Sequence, residues 1–329
     1  MKLELNKHSE QIVRMAERHP ELLVLSADLG SSCEVKEFHN RFPNRYLSMG
    51  IAEQNMCSWA AGLAREGYRP FIHTFAVFQY RRILDQLEMS VAYPNLPVVF
   101  VGFVPGITTP GGVTHQSTND VGVLRTVPNL AIFDIGDATE IESVLDLAYE
   151  FNGPVYIRQL RKEVPRLFPA SEPMRFNQAR VISEGTDIAL LSSSICTEEA
   201  MRATAVLRAH GISIQHLHVS TLKPFTDPQV VEACAKAKYG VVTIENHTTI
   251  GGLGTAVADV MAEHGIGKKL IKIGLNDTYA HGASKMYLLR KYGLDAMALV
   301  SAIGQLMDRE LGIAEHDLEE IRFEDYFEV

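Results

Sequence analysis

Glu53 and His115 are the residues whose type and surroundings point most directly to proton chemistry. Glu53 lies in Tyr46-Leu47-Ser48-Met49-Gly50-Ile51-Ala52-Glu53-Gln54-Asn55-Met56, where a short extended run ends at Met49-Gly50. Ala52, Met56, Ala60 and Leu63 then recur at near-helical spacing. Glu53 is therefore expected in the first turn of a helix just past a strand end, where open α/β sheets gather their ligand groups. That helix carries almost no charge before Arg65 and reads as buried on several sides. Two roles are open to Glu53: capping its own helix, or serving a bound group that needs a buried acid. His115 is the one titratable group in an uncharged Gly- and Pro-rich loop, Pro105 to Ser117. A loop that long without structure of its own is usually functional or disordered.

Other candidates sit at strand ends. Leu22 to Ser26 reads as a buried strand that runs into Ala27-Asp28-Leu29-Gly30-Ser31-Ser32, a typical ligand-facing loop. Asp28 could equally be a turn residue. Tyr68 to Phe75 reads as a strand leading into a helix on which Phe75 and Phe78 share a face. Leu96 to Val104 lacks alternation, so it is expected as a central parallel strand covered on both sides. Pro154 to Arg158 is a further strand, ending in Arg158 with Arg161 and Lys162 just beyond. These cations suit either an anionic substrate or a solvated edge.

These elements imply two α/β domains of doubly wound type, residues 1–165 and 186–329, joined by a Pro-punctuated linker over 166–185. In the second domain Thr197 is the expected N-cap of a helix reaching His210. Gly251-Gly252-Leu253-Gly254 is expected as a tight strand-to-helix connection, since Val257 stands where a dinucleotide fingerprint needs glycine. The chain has 329 residues, 46% hydrophobic and 22% charged, with a formal charge of -9 that argues against nucleic acid as a partner. From Asp308 onward nine acids face Arg309 and Arg322, a net of -7, so the acidity is local to a tail that also carries Leu318, Ile321, Phe323, Tyr326 and Phe327. That tail is expected to be a solvated terminus. Four scattered cysteines, no apolar leader and no membrane span indicate a cytoplasmic protein with reduced thiols.

Taken in order, Ser26-Ala27-Asp28-Leu29, Gly50-Ile51-Ala52-Glu53-Gln54-Asn55-Met56, Thr74-Phe75 with Phe78, and Thr114-His115-Gln116 resemble the pyrimidine-binding domain of transketolases. Leu222-Lys223-Pro224-Phe225, Glu245-Asn246-His247 and the Gly-rich turn are similar to the transketolase C-terminal domain. The family's Gly-Asp-Gly motif for diphosphate and magnesium is missing; Ile135-Gly136-Asp137-Ala138 lies in the wrong place. The resemblance therefore implies the second subunit of a split, thiamine diphosphate-dependent transketolase. An N-terminal partner subunit would hold most of the diphosphate and Mg2+, in an α2β2 assembly. The reaction implied is transfer of a two-carbon ketol unit from a ketose phosphate to an aldose acceptor.

By the same resemblance, Glu53 would hydrogen-bond N1′ of the aminopyrimidine and Phe75 and Phe78 would sandwich its ring. Asp28 would lie near the cofactor, and His115 would handle substrate protons. Ser32 and Arg158 would hold the sugar phosphate. Three departures stand out: Arg81 replaces a third aromatic, Phe103 a histidine and Gly111 an aspartate. They point to a substrate or acceptor handled differently from the pentose-phosphate enzyme. The β subunit of a 2-oxo acid dehydrogenase E1 component, a 1-deoxyxylulose-phosphate synthase-like activity and a non-catalytic docking relative are the competing readings. Thr114-His115-Gln116 favours transketolase over the dehydrogenase.

Overall fold

The computed structural model describes residues 3–319. The apolar run expected at the centre of the first sheet is at its centre. Val99–Phe103 has every residue buried and is the fourth of seven strands. In order across the sheet these are Thr221–Lys223, Ala131–Asp134, Val155–Gln159, Val99–Phe103, Arg69–Phe75, Leu22–Ser26 and Tyr46–Ser48. All neighbours pair in parallel except Thr221–Lys223, an antiparallel edge. Parallel pairing sends the strand ends at Ser26, Ser48, Phe75 and Phe103 to one rim, which gathers the loops carrying Asp28, Glu53, Phe78 and His115.

The second sheet runs Leu270–Leu275, Gly240–Thr248, Ile188–Ser192, Ile214–His218 and Arg180–Ser183, the last antiparallel. The expected linker is thus partly structured, since Arg180–Ser183 is an edge strand of this sheet. The edge strand Thr221–Lys223 comes from the second half of the chain but completes the first sheet, so the two halves are sewn together.

Two local expectations give way to tertiary context. The helix Cys196–Ala209 starts one residue before Thr197, which is not its N-cap; its hydroxyl lies 2.6 Å from His218 Nδ1 and 3.0 Å from Ser192 Oγ. The Glu53–Arg65 helix buries Met56, Cys57 and Ala60, but Gln54, Asn55, Ser58 and Trp59 are exposed, so it is covered on one side only. The Gly-rich turn does start a helix, Leu253–Glu263. Glu245 Oε2 and Oε1 accept from the N–H groups of Leu253 and Gly254 at 2.7 and 2.8 Å. A Cβ at Gly252 would stand 1.9 Å from Glu245 Oε2, so this turn needs glycine for space.

Cys33, Cys57, Cys196 and Cys234 are buried free thiols. Among the described residues no helix is long and apolar enough to cross a membrane. Of the acidic tail, Leu318 is buried against the second domain rather than solvated. Ile321, Phe323, Tyr326 and Phe327 lie outside the described residues.

Candidate active site

Gly50 turns the chain with φ +68° just past the strand Tyr46–Ser48, and Glu53 opens the following helix. Glu53 is 4% exposed. It does not take the capping role: Ala52 is the N-cap, with no side-chain cap bond. Its carboxylate is instead met by Arg82, whose Nη1 donates to Oε1 at 2.7 Å. A buried carboxylate needs such a partner, because removal from water penalises the bare charge.

Arg82 joins the acid to the aromatic pair. Its guanidinium carbon stands 3.8 Å from the Phe78 centroid. Phe75 and Phe78 stack with centroids 5.9 Å apart and planes 24° from parallel. A ring inserted between them needs contact distance on both sides, about 7 Å in all. At 5.9 Å the two rings leave no room for a third between them, so they do not form the sandwich that the family resemblance implies, and a planar ligand would use a face of one of them. His115 stands edge-on to both, 6.1 Å from Phe75 and 5.7 Å from Phe78, with Nδ1 2.9 Å from Thr114 Oγ1.

The loop that carries His115 is pinned from the second domain. Asn246 Oδ1 accepts from Ile107 N at 3.0 Å, and Asn246 Nδ2 donates to Pro105 O at 3.1 Å. Gly106, at φ +57°, lets that amide approach; a Cβ there would lie 2.1 Å from Asn246 Oδ1. Gln116 donates to Thr109 O and to His281 O, and Arg81 Nη1 donates to Val113 O at 3.2 Å. Arg81, at the position of a missing aromatic, thus ties the helix bearing Phe78 to the His115 loop.

Arg158 is not where a substrate could reach it. It is fully buried, with Nε on Asp120 and Nη1 on Asp134, each at 2.9 Å, and Nη2 on Asn246 O at 2.9 Å. These acids raise its pKa against the lowering effect of burial, which is the larger single influence. Burial in turn pushes the Asp134 carboxyl up, with Arg158 opposing. Neither the phosphate role nor a solvated edge describes Arg158: it is a buried clamp linking the strand Val155–Gln159 to the second domain.

The cation at the rim is Arg161, three residues on. Its guanidinium lies 5.3 Å from the Phe75 centroid, and Nη1 donates to Ser32 O at 3.0 Å. A cavity of about 280 Å3 opens beside it, also lined by Lys162, Thr108 and Lys285. Ser32 is half-buried. Asp28, in the same loop, is exposed and left-handed at φ +58°, in a turn closed by Leu29 N donating to Ser26 Oγ at 3.2 Å. The structure thus links Glu53, Phe78, Phe75 and His115 in one chain of contacts, brings Ser32 to it through Arg161, and leaves Asp28 at the edge. Arg82 is the member sequence reasoning missed; its neighbour Arg81 looks the same in sequence.

The two remaining departures have structural reasons. A Cβ at Gly111 would lie 3.0 Å from His115 Cβ and 3.1 Å from Cγ, so the histidine occupies the room a side chain would take. Phe103 is fully buried and meets His8 edge-on at 5.0 Å. His8 and His73 face each other, Nε2 to Nε2, at 3.0 Å. Burial lowers both pKa values, that of His73 to about 4, so the pair is neutral at pH 7 and one ring donates to the other.

Comparison with known proteins identifies the two halves of the chain. Residues 6–166 match the family described as transketolase, pyrimidine binding domain, and residues 177–299 match transketolase, C-terminal domain. The chain is 35% identical over 300 residues to a 6-deoxy-6-sulfo-D-fructose transketolase subunit of Clostridium sp. (strain MSTE9), covering 91% of this chain and 92% of that one. It is 30% identical to the 1-deoxy-D-xylulose-5-phosphate synthase of Syntrophotalea carbinolica, covering 92% of this chain but 48% of that longer protein. A solved structure described as a split gene transketolase, inactive beta4 tetramer, superposes with a TM-score of 0.83 at 34% identity, over 92% of this chain and 97% of that one. With both domains matched in order, and two of these relatives covered almost end to end, the chain belongs to the transketolase family, as a section carrying its pyrimidine-binding and C-terminal domains.

Proposed function

We propose that the chain is the pyrimidine-side subunit of a split, thiamine diphosphate-dependent transketolase that moves a two-carbon ketol unit between sugar phosphates. The observation that carries this reading is the Glu53–Arg82–Phe78 contact. A planar, nitrogen-rich group already lies on an aromatic face against the buried acid, the two surfaces an aminopyrimidine would use, with N1′ accepting from Glu53 where Arg82 now donates. The residues therefore fit the pyrimidine end of the cofactor.

When bound, the cofactor supplies a nucleophilic carbon that accepts and hands on the ketol unit. Glu53 would hold the proton shared with N1′ of the pyrimidine, the acid–base part of that chemistry. A face of the Phe75–Phe78 pair would orient the ring, and His115, edge-on to both, would move the proton of a substrate hydroxyl or carbonyl. Arg161, with Lys162 and Lys285 around the adjoining cavity, would bind an anionic substrate end, in place of Arg158. Asp28 and Ser32 would line the entrance. An N-terminal partner subunit would hold the diphosphate and Mg2+, and the assembly would be α2β2 in the cytoplasm. The inactive beta4 tetramer of the split-gene relative supports dependence on a second type of subunit.

The likeness to 1-deoxy-D-xylulose-5-phosphate synthases favours one second reading, condensation of a 2-oxo acid with an aldose phosphate. Reconstitution separates the two. The chain is mixed with its N-terminal partner, thiamine diphosphate and Mg2+. It is then offered ketose phosphates or 6-deoxy-6-sulfofructose, each with an aldose phosphate acceptor, or pyruvate with glyceraldehyde 3-phosphate. Ketol transfer is expected only in the mixture, and Glu53→Gln is expected to lower it about 10²- to 10⁴-fold. CO2 release from pyruvate would move the assignment to the synthase. Turnover by the chain alone, or a fully active Glu53→Gln, would overturn the subunit reading.

A further inference from the structure

The cofactor reading needs Glu53 and an aromatic face to meet a pyrimidine, and in this chain that place is taken. Arg82 makes both contacts itself: Nη1 to Glu53 Oε1 at 2.7 Å and the guanidinium over Phe78 at 3.8 Å. A guanidinium and an aminopyrimidine share planarity, π character and N–H donors aimed in the plane. The guanidinium donates to the carboxylate, whereas N1′ of a pyrimidine would accept the proton that Glu53 holds, so the two compete for the same acid and the same ring face in opposite hydrogen-bond senses. The interior of the ring pair offers no alternative berth, because Phe75 and Phe78 stand only 5.9 Å apart. We infer that Arg82 is a built-in competitor that fills the pyrimidine position of the unpartnered subunit and must swing out before a pyrimidine enters.

Its attachment allows that motion. Arg82 is the C-cap residue of the short helix Ala76–Arg81, and its side chain is 42% exposed, so the outward path is through solvent. Arg81, one position earlier, is held by Tyr80 and Val113 and stays with the loop. Only Arg82 reaches solvent, Glu53 being buried, so the ion pair is stronger than a surface pair and its opening must be offset by the contacts that a bound pyrimidine makes to Glu53 and the ring face. The consequence is a subunit whose acid stays paired and dry until cofactor and partner arrive together. This inference rests on the cofactor reading above.

The test is calorimetric titration of thiamine diphosphate with Mg2+ into the complex of the chain with its N-terminal partner, repeated with thiamine on the chain alone. Arg82→Gln and Arg82→Ala are expected to bind about tenfold tighter than wild type, since nothing has to be displaced. Arg82→Lys, which keeps the charge but cannot stack as a plane, should fall between. Low-millimolar guanidinium ion should compete in Arg82→Ala and return its affinity toward wild type, a rescue that a merely structural role would not show. Equal or weaker binding by the glutamine and alanine variants, with a wild-type complex that loads normally, would overturn the latch alone. Failure of every complex, wild type included, to take up thiamine diphosphate would overturn the cofactor reading and the latch with it.

Discussion

Neighbouring side chains of one chemical type do opposite jobs in this site, and what separates them is direction. Arg81 and Arg82 are adjacent, yet one braces the His115 loop through Val113 O and the other covers Glu53 and Phe78. Successive positions on a helix point about 100° apart, so they face different neighbours. Gly111 makes the same point by absence. His115 packs against it so closely that any Cβ would stand 3.0 Å away, and the histidine would have to move. Gly111→Asp is therefore expected to shift His115 by a few tenths of an ångström against Phe75 and Phe78. That is short of the ~1 Å misplacement that costs about 10²-fold, so ketol transfer should fall about three- to tenfold. Gly111 is exposed in a loop, so the unfolding free energy from urea titration should hold to within about 0.5 kcal/mol. A Gly111→Asp enzyme with wild-type turnover would show that the position of His115 is unimportant.

At the scale of elements, the second domain does much of the positioning for the first. The loop Pro105 to Ser117 has little regular structure, and its base is held by one side chain 139 residues away in sequence, Asn246. Asn246→Ala leaves the N–H of Ile107 and the carbonyl of Pro105 without that partner in a buried place. It should cost about 2–4 kcal/mol of stability, read as a shift in the urea midpoint. The same change should lower turnover at saturating cofactor, because the loop that aims His115 loses its anchor. Full activity with the stability loss would confine Asn246 to a structural role.

Sequence periodicity gave away the elements that are local: the central strand, the helix opening at Glu53 and the strand-to-helix turn at Gly252. It could not place Arg158. Its partners Asp120, Asp134 and Asn246 lie 38, 24 and 88 residues away, and only pairing of distant strands brings them together. Arg161 was legible as a cation beyond a strand end but not as the one that reaches Phe75, and Arg82 was hidden for the same reason. A cation at a strand or helix end reads alike whether it meets solvent, a ring or a buried acid.

At the scale of the whole molecule, the interior is rich in neutral histidine, and this sets how stability responds to acid. Burial lowers the pKa of His73 and His247 to about 4 and of His216 to about 3, and lowers that of His8 well below its ordinary value. Unfolded, each titrates near pH 6.5. As pH falls below 6.5 the unfolded chain takes up protons that the folded chain refuses, so stability falls with pH through that window. At pH 5.5 each histidine costs about 1.4 kcal/mol, so the four together cost about 5–6 kcal/mol.

Several buried carboxyls act the other way, and Glu245 and Asp137 are the two shifted furthest. Burial pushes Glu245 up to about 7 and Asp137 to about 6. Such raised groups stabilise the fold at low pH and lose that contribution as pH rises through their folded values. Between pH 7.5 and 5.5 they return about 3 kcal/mol. The histidines outweigh them, so urea unfolding at pH 5.5 should show a net loss of about 3 kcal/mol relative to pH 7.5. His216→Asn should lose less over the same interval than wild type, whatever its absolute stability, because one refused proton is gone. Stability that stays level or rises as pH falls to 5.5 would mean that these imidazoles accept protons inside the fold, and that the His8–His73 contact is a charged pair rather than a neutral one.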